Sequence, residues 1–339
     1  HVAGSLDFDT QGNLYIATGD NTNPFASNGY SPIDERPGRE AWDAQKSSSN
    51  TNDLRGKILR IKPMQDGTYT IPSGNLFVAS DEHRPEIFVM GNRNPFRIAI
   101  DNLDDTLFWA DIGPDAGSSN PNRGPSGLDE LNKTSVAGNF GWPYFIGNNQ
   151  AYNDYNFATR SSGAKFVADN VTNDSPNNTG ATELPNTSPA WISLSHRALM
   201  VADVYRYNPS VLDEQKLPSY FHGKLLFWNF NNDRMFETDI AEESPTLNSW
   251  LNTSVMAGII DGKISPHNNR LYLISFGGNC CGKPNDAGLL VEVNYTHDDT
   301  GGALPNDPSI TSYAINTGGN NYTAKDGTEY QADNFYSGG

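Results

Sequence analysis

In "GSLDFDTQGNLYIATGD" Ser, Leu, Asp, Phe and Asp alternate polar and apolar, and turn-forming Gly, Pro, Asn and Asp cluster between strand-like runs of this kind along the chain. That period-two alternation predicts strands rather than helices. One phrase recurs: a strand, a D-x-x-G-like turn, a second strand ending in aromatic residues, then a glycine-rich exit. It reads "GSLDFDTQGNLYIATGD", "FRIAIDNLDDTLFWADIGP" and "DGKISPHNNRLYLISFGG". Short β runs follow each, "RGKILRIKP", "DELNKTS" and "GLLVEVNY". "DVYRYNP…YFHGKLLFWNFNNDRMFETDI" forms a looser fourth unit. Units of about four strands at this spacing predict an all-β chain folded as a β-propeller, in preference to a β-sandwich.

A six-bladed ring needs roughly one to two units beyond the four visible. They belong before His1, so the sequence reads as an N-terminally truncated six-bladed β-propeller over residues 1–297. The polar insertions 21–52 and 146–190 become loops above one face of the ring, where binding groups usually sit. From about residue 298 the texture changes. Residues 298–310 are a Pro/Gly-rich linker, and 311–339 open a separate module or form a polar tail. The segment "YAINTGGNNYTAKDGTEYQADNFYSGG" resembles the first strands of malectin-type carbohydrate-binding domains.

Composition narrows the partners. The chain has 339 residues, 36% hydrophobic and 11% aromatic, enough for a sizeable core despite 32 Gly and 21 Pro. Its formal net charge of −17 argues against nucleic acid and against anionic lipid surfaces. No run of 18 apolar residues is present, so no membrane span is expected. Abundant Asn with few Lys leans toward a secreted or periplasmic protein. The chain opens on His1 in mid-pattern with no initiator Met, as a fragment or a processed chain would. The two cysteines are adjacent, Cys280-Cys281, which disfavours structural zinc and leaves either a vicinal disulfide or a pair of thiols.

Residues with chemistry fall at the ends of successive strand runs. His1 begins "HVAGSLDF", and Asp20 closes the first strand pair in "ATGD". "FVMGNRNPFRIAID" then interrupts its own alternation with Asn92, Arg93, Asn94 and Pro95. "DIGPDAG", "GLDELN" and "AGNFGWP" follow. In a propeller, loops between blades converge on one end of the central channel, so a His, an Asp, an Arg and a Gly-Pro turn are expected to meet there. Asp34, Glu35, Asp43 and Asp53 make an acidic insertion that reads either as a second calcium site or as a solvated loop.

This serial order resembles the soluble quinoprotein glucose dehydrogenase and glucose/sorbosone dehydrogenase family, six-bladed propellers that oxidise sugars with pyrroloquinoline quinone (PQQ). "RPEIFVMGNRNPFRIAID", "DIGPDAG…RGPSGLDELNKTSVAGNFGWP" and "LRGKILRIKP" carry the likeness, which runs from His1 to about Tyr295. The resemblance implies that His1 is the base for the sugar's anomeric hydroxyl, oriented by Asp20. It implies that Arg93 stabilises charge developing on the quinone and that Asn94 holds the cofactor. Pro95 keeps Asn94 extended. The carbonyls of Gly113 and Pro114 would bind Ca²⁺, with Asp129 close by.

The family meets the quinone's carboxylates with a lysine and arginines on later blades. At those places this chain has Asn231-Asn232 and Ile259-Ile260, so Arg234, Lys263 and Arg197 are the expected substitutes. The function this implies is PQQ- and calcium-dependent oxidation of an aldose or oligosaccharide to a lactone. An external electron acceptor completes it, and the C-terminal module would hold polysaccharide. The alternative is a noncatalytic carbohydrate-binding or scaffold propeller that has lost the cofactor. A metal-dependent lactonase-type propeller is disfavoured, because no Glu/Asn/Asp ligand set is visible.

Overall fold

A computed structural model describes residues 1, 3–195, 198–252, 258–277, 288–295, 310–313, 322–323 and 329–330. They are strand-rich, with three 3₁₀ turns as the described helical elements. The chain divides into two compact units, His1–Leu199 and Met200–Gly339. No described helix is long and apolar enough to cross a membrane.

In the first unit, Ser5–Phe8, Leu14–Thr18, Lys57–Pro63 and Ile87–Met90 pair in that order as antiparallel neighbours. Tyr69–Thr70 adds to Lys57–Pro63, and Gly138–Asn139 pairs in parallel with Ile87–Met90. The second sheet orders Pro95–Ile100, Leu107–Asp111, Asp129–Thr134 and Ile192–Leu194, all antiparallel. The second unit holds two sheets of the same plan. One is Leu199–Tyr205, Lys224–Asn229, Arg234–Asp239 and Asn248–Asn252. The other is Ile259–Ile264, Leu271–Ser275, Leu289–Val293 and Ile310–Tyr313. The four repeats of the sequence are thus four sheets with chain order kept across each, although five other strands intervene before Ile192–Leu194 joins the second.

Local chemistry explains why the hairpins close where they do. Asp9 Oδ1 accepts the amides of Gln11 and Asn13, and Gly12 takes φ +73°. In the next repeat Asp101 Oδ1 accepts the Leu103 amide, with Asp105 at φ +60°. In the last, Ser265 Oγ accepts the His267 amide, with Asn269 at φ +59°. A short oxygen-bearing side chain opens each turn, and Gly, Asp or Asn fills the left-handed position. Thr10 then donates from both its amide and its hydroxyl to the Asp105 carboxylate, joining the first two hairpins.

Between these two sheets lies a core of Tyr15, Ile58 and Val89 against Ile98, Ile100, Leu107 and Trp109. Burying each large apolar side chain contributes about 1.5–3 kcal/mol, which holds the strand exits in place. Residues 310–313, where the expected linker meets the expected C-terminal module, pair with Leu289–Val293. Tyr322–Thr323 pairs with Glu329–Tyr330. The rest of the linker and malectin-like segment, and Cys280-Cys281, lie outside the described residues.

Candidate active site

The exits of the first unit's strands bring together most of the residues expected to act. Asp20 follows Leu14–Thr18, and its amide donates to the carbonyl of Arg93 at 2.9 Å. Its carboxylate is buried and takes three partners. His1 Nδ1 lies 2.8 Å from Oδ1, the Thr22 amide donates to Oδ1 at 2.9 Å, and Trp142 Nε1 donates to Oδ2 at 2.9 Å. Burial pushes the Asp20 carboxyl up, against the opposing pull of Arg93 and of the Thr22 and Trp142 donors. The His1 carbonyl accepts the Asn21 amide at 2.9 Å, so the histidine is tied at both ends.

Arg93 is nearly buried, and its guanidinium sits 5.9 Å from the Trp142 ring centroid. Nη1 donates to the carbonyl of Ile112 at 2.8 Å. Its remaining N–H groups have no hydrogen-bond partner among the described residues. Asp111 fixes this corner from below. Its two oxygens accept the amides of Arg93 at 2.9 Å and Asn94 at 2.6 Å, and burial pushes its carboxyl up to about 7. The Asn94 side-chain oxygen accepts the Ala3 amide at 3.0 Å, which docks the chain start beside the Arg93 loop. Pro95 then opens the strand Pro95–Ile100.

Gly113 and Pro114 are both buried, and their carbonyls accept no hydrogen bond from any described residue. The Gly113 amide donates to Asp129 Oδ1 at 2.9 Å, and Asp129 Oδ2 accepts the Ala198 amide at 2.6 Å. The carboxylate therefore clamps two loops. Glu130, paired across the sheet with Asp111, accepts the Gly147 amide at 2.6 Å and is pushed up to about 8 by burial. The turn also demands close backbone approach. A Cβ at Gly127 would lie 1.6 Å from the Pro114 oxygen, and one at Gly113 would lie 1.7 Å from the Leu128 oxygen. Gly127→Ala is expected to lower stability by about 2–3 kcal/mol, because neither backbone can yield without moving the turn. A urea unfolding midpoint equal to the parent's would show that the segments separate freely.

The model of the family described as glucose/sorbosone dehydrogenase matches residues 1–183. The chain belongs to that family. Its relatives include the aldose sugar dehydrogenase YliI of Escherichia coli (strain K12), 30% identical over 143 residues. That match covers 42% of this chain and 29% of the E. coli protein. The HIPL2 protein of Arabidopsis thaliana is 28% identical over 157 residues, 42% of this chain and 18% of that one. The chain thus matches less than a third of the length of either relative. In fold, it is similar to a crystal structure of glucose dehydrogenase, with TM-score 0.52 at 18% identity, over 86% of this chain and 63% of the other. The soluble aldose sugar dehydrogenase of E. coli in its apo-form gives 0.50 at 20% identity, over 85% and 62%.

In this chain of the glucose/sorbosone dehydrogenase family, the remaining expected residues have other settings. Arg234 is exposed at the start of Arg234–Asp239, its amide donating to Asn232 Oδ1. Lys263 lies 3.4 Å from Asp203 Oδ2, with its side chain about half exposed. Both belong to the second unit, and Arg197 lies outside the described residues. In the acidic insertion, Asp34 takes Arg36 and Arg39, and Asp53 takes Arg55. Asp43 accepts from Gln45, Ser175 and Asn177. Among the described residues no group of three or more His, Cys, Asp or Glu is placed to hold a metal.

Two contributors escaped the sequence reading. Trp142 sat inside the quoted "AGNFGWP" and Asp111 inside "FWADIGP". The available signal was the Asp at a strand exit, shared by Asp20 and Asp111.

Proposed function

We propose that this chain is part of a PQQ- and calcium-dependent sugar dehydrogenase that oxidises the anomeric carbon of an aldose or oligosaccharide to a lactone. The observation that carries the reading is the buried Asp20 holding His1 Nδ1 beside the Arg93 loop. An ionised carboxylate only accepts, so the Nδ1 proton points at Asp20 and Nε2 is left as the basic nitrogen. His1 then takes the proton of the anomeric hydroxyl, and Asp20 stabilises the imidazolium that results.

The residues of the first unit fit the cofactor. Arg93 has unspent donors on a nearly buried cation, suited to an electron-rich oxygen. The Gly113 and Pro114 carbonyls are hard oxygen donors that would suit Ca²⁺, whose charge would polarise a carbonyl oxygen beside it. PQQ, when bound, supplies the two-electron acceptor for the hydride. Asn94 belongs beside it, while Asp129 supports the Gly113 turn rather than needing to touch the ion. Arg234, Lys263 and Arg197 are the cations this reading assigns to the quinone's acids. The four sheets are taken as four blades of a six-bladed ring. An external electron acceptor, a secreted or periplasmic location and polysaccharide held by the C-terminal segment complete the reading.

Reconstitution of the full-length protein with PQQ and Ca²⁺ tests it. Titration should give a saturable absorbance change and aldose-dependent dye reduction. Arg93→Ala should lower that rate by about 10²–10³-fold, the scale of one lost preorganised charge stabiliser. If PQQ gives no saturable change and no aldose reduces the dye, the noncatalytic carbohydrate-binding reading replaces this one.

A further inference from the structure

A cavity of about 330 Å³ in the first unit is lined by Arg36, Arg123, Arg160, Tyr155, Phe157 and Asn28, among others. It shares no lining residue with the His1, Asp20 and Arg93 cluster. Arg36 is already forked onto Asp34 at 2.7 Å through both Nε and Nη2. Arg123 is different. It is only 8% exposed, and no carboxylate pairs with it among the described residues. Its guanidinium lies 4.2 Å from the Tyr155 ring centroid, 5.0 Å from Phe157 and 5.2 Å from Tyr30. Its hydrogen bond among the described residues is long, Nη2 to the Ser31 carbonyl at 3.4 Å.

Aromatic faces hold a cation in place but supply no acceptor for its in-plane N–H groups. Burial without a counter-ion is costly, and it pulls the Arg123 pKa down from its ordinary value. Asp34 is already committed to Arg36, so Arg123 is left with unspent donors lining a cavity. Arg160, exposed at φ +58° between the strands Asn153–Asn156 and Ser161–Lys165, adds a second charge to the lining. On a chain of net charge −17, Arg123 and Arg160 put two cations on one cavity, a local anion site on a surface that otherwise repels anions. The volume is at the small end of ligand pockets, roughly 300–1,000 Å³, which suits one sugar ring rather than an extended chain.

We propose that this cavity binds a monosaccharide-sized oxyanion, a sugar acid or a sugar phosphate, with Arg123 as the fork for the charged group and Arg160 as the second cation. The sugar half of the assignment rests on the sugar-handling reading above, whereas the anion half rests on Arg123 alone. The test therefore uses no PQQ and no dye, so its failure is separable from failure of the dehydrogenase reading.

Calorimetric titration of the full-length protein with glucuronate, glucose 6-phosphate, glucose and inorganic phosphate is the experiment. One of the two charged sugars should bind about tenfold or more tighter than glucose and than inorganic phosphate, and which one does so names the source. Arg123→Gln should weaken it by about tenfold or more. Arg160→Asn, exposed and tolerant of a left-handed backbone, should weaken it by about threefold and keeps the test alive if the first variant fails to fold. Neither charged sugar binding better than glucose, inorganic phosphate binding as tightly as the better of the two, or parental affinity in both variants overturns the proposal.

Discussion

Asp20→Asn is expected to reduce kcat for aldose oxidation by about 10²–10⁴-fold while changing KM little. The carboxylate serves three donors at once, from His1, Thr22 and Trp142. Asparagine offers one acceptor oxygen and an NH₂ group, so one of those donors must face another donor. If the NH₂ faces His1, the proton is driven onto Nε2, and the base is lost. The same conflict should cost about 1–3 kcal/mol of stability, since a buried donor goes unsatisfied. A purely structural Asp20 would lower the amount of folded protein without altering the pH–rate profile of the fraction that folds. The acid limb of kcat against pH should instead be displaced or disappear in the variant. A parental kcat, or an unchanged profile, would remove Asp20 and His1 from the chemistry.

Lys57→Met is expected to be the most damaging single substitution for stability, by about 3–5 kcal/mol. Lys57 is fully buried, and its Nζ donates to the carbonyls of Ser47 and Ser48 at 2.8 Å and of Arg55 at 2.9 Å. Those three acceptors close the loop between Leu14–Thr18 and Lys57–Pro63, the same loop whose Gly56 amide donates to the Gly19 carbonyl just before Asp20. Methionine keeps the stem and strands all three carbonyls.

The loss should also depend on pH. Burial pulls the Lys57 pKa down to about 7, below an unfolded value near 10.4. Between those values the folded amine is neutral, with two N–H groups shared among the three carbonyls, while the unfolded chain binds more protons. The amine's contribution is therefore complete above about pH 10.4, declines as pH falls toward about 7 and changes no further below it. The gap in unfolding free energy between parent and variant should therefore be wider at pH 10 than at pH 7, by about 2–4 kcal/mol. Urea unfolding of both proteins across that range measures it, and a constant gap would mean that the amine is as well hydrated folded as unfolded.

Much of the architecture was legible along the chain. Alternation in "SLDFD", and the Asp or Ser that opens each hairpin, depend on contacts a few residues apart. A strand's two faces and a turn's left-handed residue are set by such local sterics, so the four repeats became four sheets. The interruption at Arg93 was visible for the same reason: a charge and two amides break a burying pattern. What the sequence alone could not determine is which side chains answer it. Asp111 reaches Arg93 across 18 positions and Trp142 reaches Asp20 across 122, and both approaches exist only because separate loops return to the same strand exits. The stacked, unpaired Arg123 is of that kind too, since its rings come from Tyr30 and from a hairpin beginning at Asn153. Local propensity writes strands and turns into consecutive residues, whereas a buried charge is stabilised or left exposed by whichever distant groups the folded chain brings within about 3–5 Å of it.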